Sequence, residues 1–154
     1  TILIMTIECI ILAVPPFIFG KVLRNLLFSI NHPEVSFITN LVLSIGAGIY
    51  EEFVFRMVIM SSLYFIFGTI FQIDGYKLQI LVISLQAILF AFFHYLPGSQ
   101  EKIILESKDF WSAFLFRIIG GVYFALIYKE RGLGIATGTH AFYDIIAVVM
   151  NAFR

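Results

Sequence analysis

The sequence predicts an all-α, polytopic integral membrane protein, with about five transmembrane helices around a polar cavity inside the membrane. Of its 154 residues, 60% are hydrophobic and only 13% are charged, whereas about 25% of the residues in a soluble domain are charged. The apolar residues form five segments long enough to cross a bilayer core of about 30 Å. A few ionisable residues lie inside these segments, where each is costly unless it faces other polar groups.

The charge balance and the single cysteine exclude several classes of protein. Lys and Arg together number 10, as do Asp and Glu, so the chain has no basic field with which to bind nucleic acid. Cys9 alone excludes a disulfide scaffold and a cysteine-based zinc module. We expect one transmembrane domain over residues 1–154. Because the chain starts with Thr1, we expect it to be processed or part of a longer protein, which leaves open that N-terminal spans are missing.

Two of the predicted spans contain features that disturb a helix. Pro15 and Pro16 are expected to kink or end the first helix, because proline lacks an N–H and clashes with the preceding turn. The second span would reach about 54 Å if it were wholly helical, so we expect it to be tilted or broken, with a bend near Gly46 and Gly48. Turns are expected at 31–33, 72–77 and 129–132, and a polar segment in water or at the interface at 98–109. The five predicted spans cover residues 2–19, 36–71, 78–95, 110–128 and 133–153.

Eight ionisable residues fall within the predicted spans or at their ends, at an insertion cost of ~2.5–3.5 kcal/mol each. Two of them stand alone, and the other six form three local clusters along the chain. The clusters are Glu51, Glu52 and Arg56; His94; and His140 with Asp144, while Glu8 and Arg117 lie apart.

The first cluster separates two acidic residues by their direction on the helix. Glu52 and Arg56 are four residues apart and share one helical face, so Arg56 can neutralise Glu52. Glu51 is rotated by about 100° from Glu52 and is left to face a cavity, where a carboxylate can act as a general base. A structural ion pair with an interfacial neighbour is the alternative interpretation.

The other two clusters supply imidazole groups. His94 lies near the end of a span, where an interfacial role is the alternative to catalysis. His140 and Asp144 are four residues apart, so the carboxyl group can orient the imidazole or take part in an ordinary hydrogen bond between helices. Counted along the spans, these groups and Glu51 come to similar depths on one side of the membrane, so we expect them to meet in one cavity.

Three motifs in this order resemble the CPBP group, which comprises CAAX-processing endopeptidases and bacteriocin-processing or immunity proteins and is also called the Abi family. They are Glu-Glu-x-x-x-Arg at 51–56, Phe-x-x-x-His at 90–94 and His-x-x-x-Asp at 140–144. The resemblance covers residues 51–144 and implies an intramembrane glutamic endopeptidase.

The resemblance also implies a role for each motif residue. Glu51 would activate water as the base, and His94 would hold and polarise that water. His140 and Asp144 would line the oxyanion site, with Glu52 and Arg56 in support. The third motif of the family often ends in Asn, and Asp144 can donate a hydrogen bond only when it is protonated, so orienting His140 is its alternative task.

Two rival functions stay open at this point. Glu51, His94 and His140 could hold zinc as two imidazoles and one carboxylate, with a position left for water. The same polar groups could instead form a proton relay in a non-enzymatic immunity protein or a transporter-like protein. We favour the peptidase without metal or other cofactor, located in the membrane (the cell membrane if the host is a prokaryote). Its expected partners are membrane lipid and a peptide or prenylated-protein substrate.

Overall fold

The computed structural model describes residues 1–27, 37–96 and 105–152. Within these residues the chain is helical apart from short connections, and five helices are long and apolar enough to cross a membrane. The predicted all-α membrane architecture is therefore confirmed. The turn predicted at 31–33 and most of the polar segment predicted at 98–109 lie outside the described residues. The helices are α1 (Ile2–Leu27), α2 (Phe37–Ile70), α3 (Gly75–Phe93), α4 (Lys108–Arg131) and α5 (Leu133–Ala152).

The sequence led us to expect that helix α1 kinks or ends at its two prolines. The helix instead continues past them to Leu27. Pro16 has no N–H to donate to the carbonyl of Leu12, one turn earlier. That carbonyl accepts a hydrogen bond of 2.7 Å from the hydroxyl of Tyr123 on α4 instead. A neighbouring helix thus satisfies the freed backbone group, which is the condition under which membrane helices tolerate proline.

Helix α2 is continuous through the glycines at which a break was expected. Its first part, Phe37–Glu52, is regular α-helix, and the departure from α geometry begins only at the π-helical stretch Phe53–Met60. A Cβ added at Gly48 would lie 3.1 Å from the backbone nitrogen of Ala141. Gly48 therefore allows close approach of α2 to α5 and does not break the helix.

Two tight connections join α2 to α3 and α4 to α5. Residues 71–74 form the first, and α3 begins at Gly75, three residues before the predicted span. Gly132 forms the second with a φ of +81°, a left-handed conformation that glycine adopts without strain. Because both connections are short, the helices that they join pack side by side in opposite directions.

The packing of α3 brings two distant parts of the chain together. Along α2, Phe55 packs on Phe90 while Gly68 lies against Leu78, so α2 and α3 run antiparallel. Helix α4 covers another face of α3, where a Cβ added at Gly121 would lie 3.0 Å from the Cα of Ala87. The C-terminal end of α3, which carries His94, consequently lies beside the middle of α2.

The close contact between α3 and α4 predicts different effects for two adjacent glycines. In Gly121→Ala the new methyl group meets the backbone of α3, so we expect a loss of about 1–3 kcal/mol in the free energy of unfolding. In Gly120→Ala the methyl group meets nothing within 4 Å, and the stability should stay at or above that of the wild type. Unfolding of both variants in detergent tests this, and equal losses would contradict the described packing.

Candidate active site

The site lies where the geometry of α2 changes from α-helical to π-helical. Glu51 and Glu52 end the α-helical part, and the π-helical stretch begins at the next residue, Phe53. Short π-helical turns within α-helices frequently occur at functional sites. Helices α3 and α5 meet α2 at this level, so three helices supply the polar side chains.

Glu52 is fully buried, and its two carboxylate oxygens contact two different side chains. Its Oε2 lies 3.0 Å from Nε of Arg56, which is also fully buried, so the predicted pair forms. Its other oxygen, Oε1, lies 2.8 Å from Nδ1 of His140. Because a carboxylate only accepts hydrogen bonds, Nδ1 of His140 carries a proton that it donates to Glu52.

Glu51 lies between the two imidazole rings. Its Oε1 is 3.7 Å from Nε2 of His94 and its Oε2 is 3.8 Å from Nε2 of His140. The Glu51 side chain keeps 15% of its exposure, whereas that of Glu52 has none. The two neighbouring acids are therefore divided as the helical spacing predicts, with one in the ion pair and one facing both histidines.

His94 caps α3 and is held by its own helix. Its Nδ1 lies 3.0 Å from the carbonyl oxygen of Phe90, and since a carbonyl only accepts, this nitrogen is the donor. In the neutral ring Nε2 then has a lone pair, and this is the nitrogen that faces Glu51. The ring of Phe90 packs edge-on against His94, with centroids 5.0 Å apart.

Asp144 reaches the site, but it makes no hydrogen bond that would orient His140, the alternative task considered for it. Its Oδ2 is 3.9 Å from Nε2 of His140, too far for a hydrogen bond. The orienting hydrogen bond comes from Glu52, and the His140 ring stacks on Phe124 with centroids 4.5 Å apart. Asp144 instead adds a third carboxyl group around one imidazole, next to Glu51.

Glu51, His94, His140 and Asp144 thus come together as the sequence predicts, and one polar residue at this level was missed. Gln86 on α3 is fully buried, and its Oε1 accepts a hydrogen bond of 3.1 Å from Nη1 of Arg56. The sequence does mark this residue, because Gln86 is a glutamine inside an otherwise apolar helical segment. It precedes Phe90 by four residues and His94 by eight, so the three lie on the same face of the helix.

The zinc arrangement considered from the sequence finds no support in the geometry. Among the residues that the structure describes, no three His, Cys, Asp or Glu side chains are placed to hold a metal ion. Each imidazole Nε2 faces a different oxygen of Glu51.

Comparison with known families shows to which family the chain belongs. Residues 33–146 match the family model of the type II CAAX prenyl endopeptidase Rce1-like proteins, which is 114 of the 154 residues and includes all three motifs. The chain belongs to the Rce1-like family. It is therefore a CAAX-type peptidase of the membrane, and membrane lipid and peptide substrates are its general partners. No curated protein and no solved structure matches the chain.

Two Glu–Arg pairs in this Rce1-like chain differ in burial, so they test how burial changes the contribution of an ion pair to stability. Arg56→Met would leave Glu52 without its buried counter-charge, and we expect a loss of about 3 kcal/mol in the free energy of unfolding. Arg131 forms a second pair, with Glu8, in which Nη2 lies 2.7 Å from Oε2 and the arginine is half exposed. Arg131→Met should leave the unfolding temperature close to that of the wild type.

Thermal unfolding of the two variants in the same detergent gives the comparison. Equal destabilisation by the two changes would show that the pair of Glu52 and Arg56 is no more desolvated than a surface pair, which would contradict the described burial.

Proposed function

We propose that the protein is an intramembrane glutamic endopeptidase in which Glu51 and His94 activate the water that hydrolyses a peptide bond. The observation that carries the proposal is the position of the Glu51 carboxylate, 3.7 and 3.8 Å from the Nε2 atoms of His94 and His140. Glu52, the other acid of the motif, is already committed to Arg56 and His140.

One water molecule can serve both activating groups. Two atoms 3.7 Å apart can each lie about 2.8 Å from a third atom, which is an ordinary hydrogen-bond distance. Such a water would donate one proton to Glu51 and the other to the lone pair on Nε2 of His94. Glu51 takes a proton as the water oxygen attacks the peptide carbonyl carbon, and later returns it to the leaving amine.

We assign to His140 the stabilisation of the oxyanion that forms in this attack. Its Nδ1–H is fixed by Glu52, while Nε2 is directed towards Glu51 and Asp144. In the imidazolium form of His140, the Nε2–H can donate a hydrogen bond to the developing oxyanion. In this assignment Asp144 stabilises the charge on His140 from the side of the substrate.

The substrate that we propose is a protein or peptide whose C-terminus carries a CAAX sequence with a prenylated cysteine. The support is membership of a family described as type II CAAX prenyl endopeptidases. Prenylation attaches an apolar chain to the cysteine, and the surrounding bilayer can accept that chain while the peptide enters the polar cavity.

The decisive change is Glu51→Gln, which keeps the size of the side chain and removes the base. We expect cleavage to fall by at least about 100-fold, the typical contribution of a general base, and His94→Ala to lose activity on the same scale. The assay uses purified protein in detergent with a farnesylated CAAX peptide and its unprenylated counterpart. Glu130→Gln, at an exposed site on α4, is the matched control and should cleave like the wild type.

Cleavage by the Glu51→Gln variant at the rate of the wild type would end the glutamate mechanism. If the wild type cleaves neither peptide, the proposed substrate class is wrong, and a panel of unmodified bacterial peptides then serves as substrate for the same variants.

Chelation tests whether the water is activated without metal. Because Glu51 and His94 are proposed to polarise the water themselves, prolonged dialysis against a strong chelator should leave the rate of peptide cleavage unchanged. Loss of cleavage that is restored by zinc, and not by magnesium, would overturn the metal-free mechanism in favour of the zinc alternative.

A further inference from the structure

We propose that Gln86 is a positioning residue for catalysis, acting on His140 through Arg56 and Glu52. This inference deepens the proposed function, since it names a further determinant of the same site. Gln86 belongs to none of the three motifs, and it lies on α3, which carries neither the two acidic residues nor His140.

A continuous polar chain joins Gln86 to the imidazole. Gln86 Oε1 lies 3.1 Å from Nη1 of Arg56, Arg56 Nε lies 3.0 Å from Oε2 of Glu52, and Glu52 Oε1 lies 2.8 Å from Nδ1 of His140. The first three side chains are fully buried and His140 is nearly so. In surroundings this apolar, polar contacts are strong when they are complete and costly when one is lost.

Gln86 is one of few groups that fix the Arg56 guanidinium. Among the described residues, the polar partners of Arg56 are Glu52, at ion-pair distance, and Gln86, through a hydrogen bond, while its buried Nε and Nη2 have no hydrogen-bond partner. The other neighbours are aromatic, with the rings of Phe90 and Phe124 centred 5.0 and 6.0 Å from the guanidinium carbon. Without Gln86, the guanidinium would be tied at one side only and could turn away from Glu52.

The amide of Gln86 has one orientation that fits this place. With Oε1 towards Arg56, it accepts from a group that can only donate, whereas the reversed amide would place two donors against each other. Its Nε2 has no hydrogen-bond partner among the described residues. A buried amide whose NH2 group has no partner is costly. The position therefore requires the oxygen of Gln86, which accepts from Arg56.

The consequence for catalysis concerns the orientation of the His140 ring. Glu52 fixes the proton on Nδ1, and so determines that Nε2 is the nitrogen directed to the reacting groups. A Glu52 that is no longer held by Arg56 accepts this proton in a less defined geometry. The hydrogen bond of Gln86 goes to Arg56, and we propose no contact of Gln86 with the substrate, so its loss should lower kcat and leave KM unchanged.

The test is Gln86→Met, which keeps an unbranched side chain of similar length and removes the acceptor. We expect kcat to fall by about tenfold or more, the effect of one hydrogen bond to a charged group, with KM unchanged. The matched control is Gln79→Met on the same helix, where the amide oxygen accepts from Lys129 at 3.3 Å on the exposed surface. This control should keep the kcat of the wild type.

A second readout does not depend on activity. The chain has three histidines, so the imidazole ¹⁵N resonances of the protein in detergent micelles can be assigned with single His→Gln variants. The His140 resonances should report a protonated Nδ1 in the wild type and in Gln79→Met, and should move in Gln86→Met. Because this measurement needs no substrate, it tests the inference even if the proposed peptide is not cleaved.

Gln86→Glu distinguishes the acceptor from the mere shape of the side chain. It keeps an oxygen towards Arg56, so it should retain the His140 resonances of the wild type and more of kcat than Gln86→Met. If Gln86→Met does not fold, Gln86→Glu decides, since it should fold and keep those resonances. The inference is wrong if Gln86→Met keeps both kcat and the His140 resonances, or if Gln86→Glu loses as much as Gln86→Met.

Discussion

A charged guanidinium buried among apolar helices is the constraint on which the site depends. Arg56 has no exposed surface, and an unpaired charge in such surroundings costs several kcal/mol. Its pairing with Glu52 removes that cost only if the remaining carboxylate oxygen is also satisfied. His140, on α5, donates a hydrogen bond to this oxygen. Gln86, on α3, accepts a hydrogen bond from Nη1 of the guanidinium. Neutralising one charge therefore fixes the relative positions of three helices.

This arrangement frees the neighbouring acid for chemistry. Since Glu52 is occupied by Arg56 and His140, Glu51 points in another direction from the same helix, keeps part of its exposure and faces both imidazoles. The fixed Nδ1 protons of His94 and His140 leave their Nε2 atoms directed to the same place. Glu52 thus has a structural role, whereas the proposed catalytic role falls to Glu51, the residue before it.

Local spacing predicted much of the site, and contacts between distant segments were harder to predict. The pairing of Glu52 with Arg56 follows from a separation of four residues within one helix. The hydrogen bond of Glu52 to His140 spans 88 positions, whereas Asp144 is only four residues from His140, so spacing along one helix could suggest Asp144 as an orienting partner but not Glu52. Gln86 carries no charge and so does not stand out among the ionisable residues, although burying its amide in an apolar helix is also costly unless it is hydrogen-bonded.

Whether Glu51 and His94 hold one activated water molecule can be seen in an experimental structure of the protein in lipid. At a resolution that shows ordered water, we expect a water molecule about 2.6–3.2 Å from both the Glu51 carboxylate and Nε2 of His94. A Glu51 side chain turned towards the lipid chains, or separated from both imidazole rings by other side chains, would contradict it.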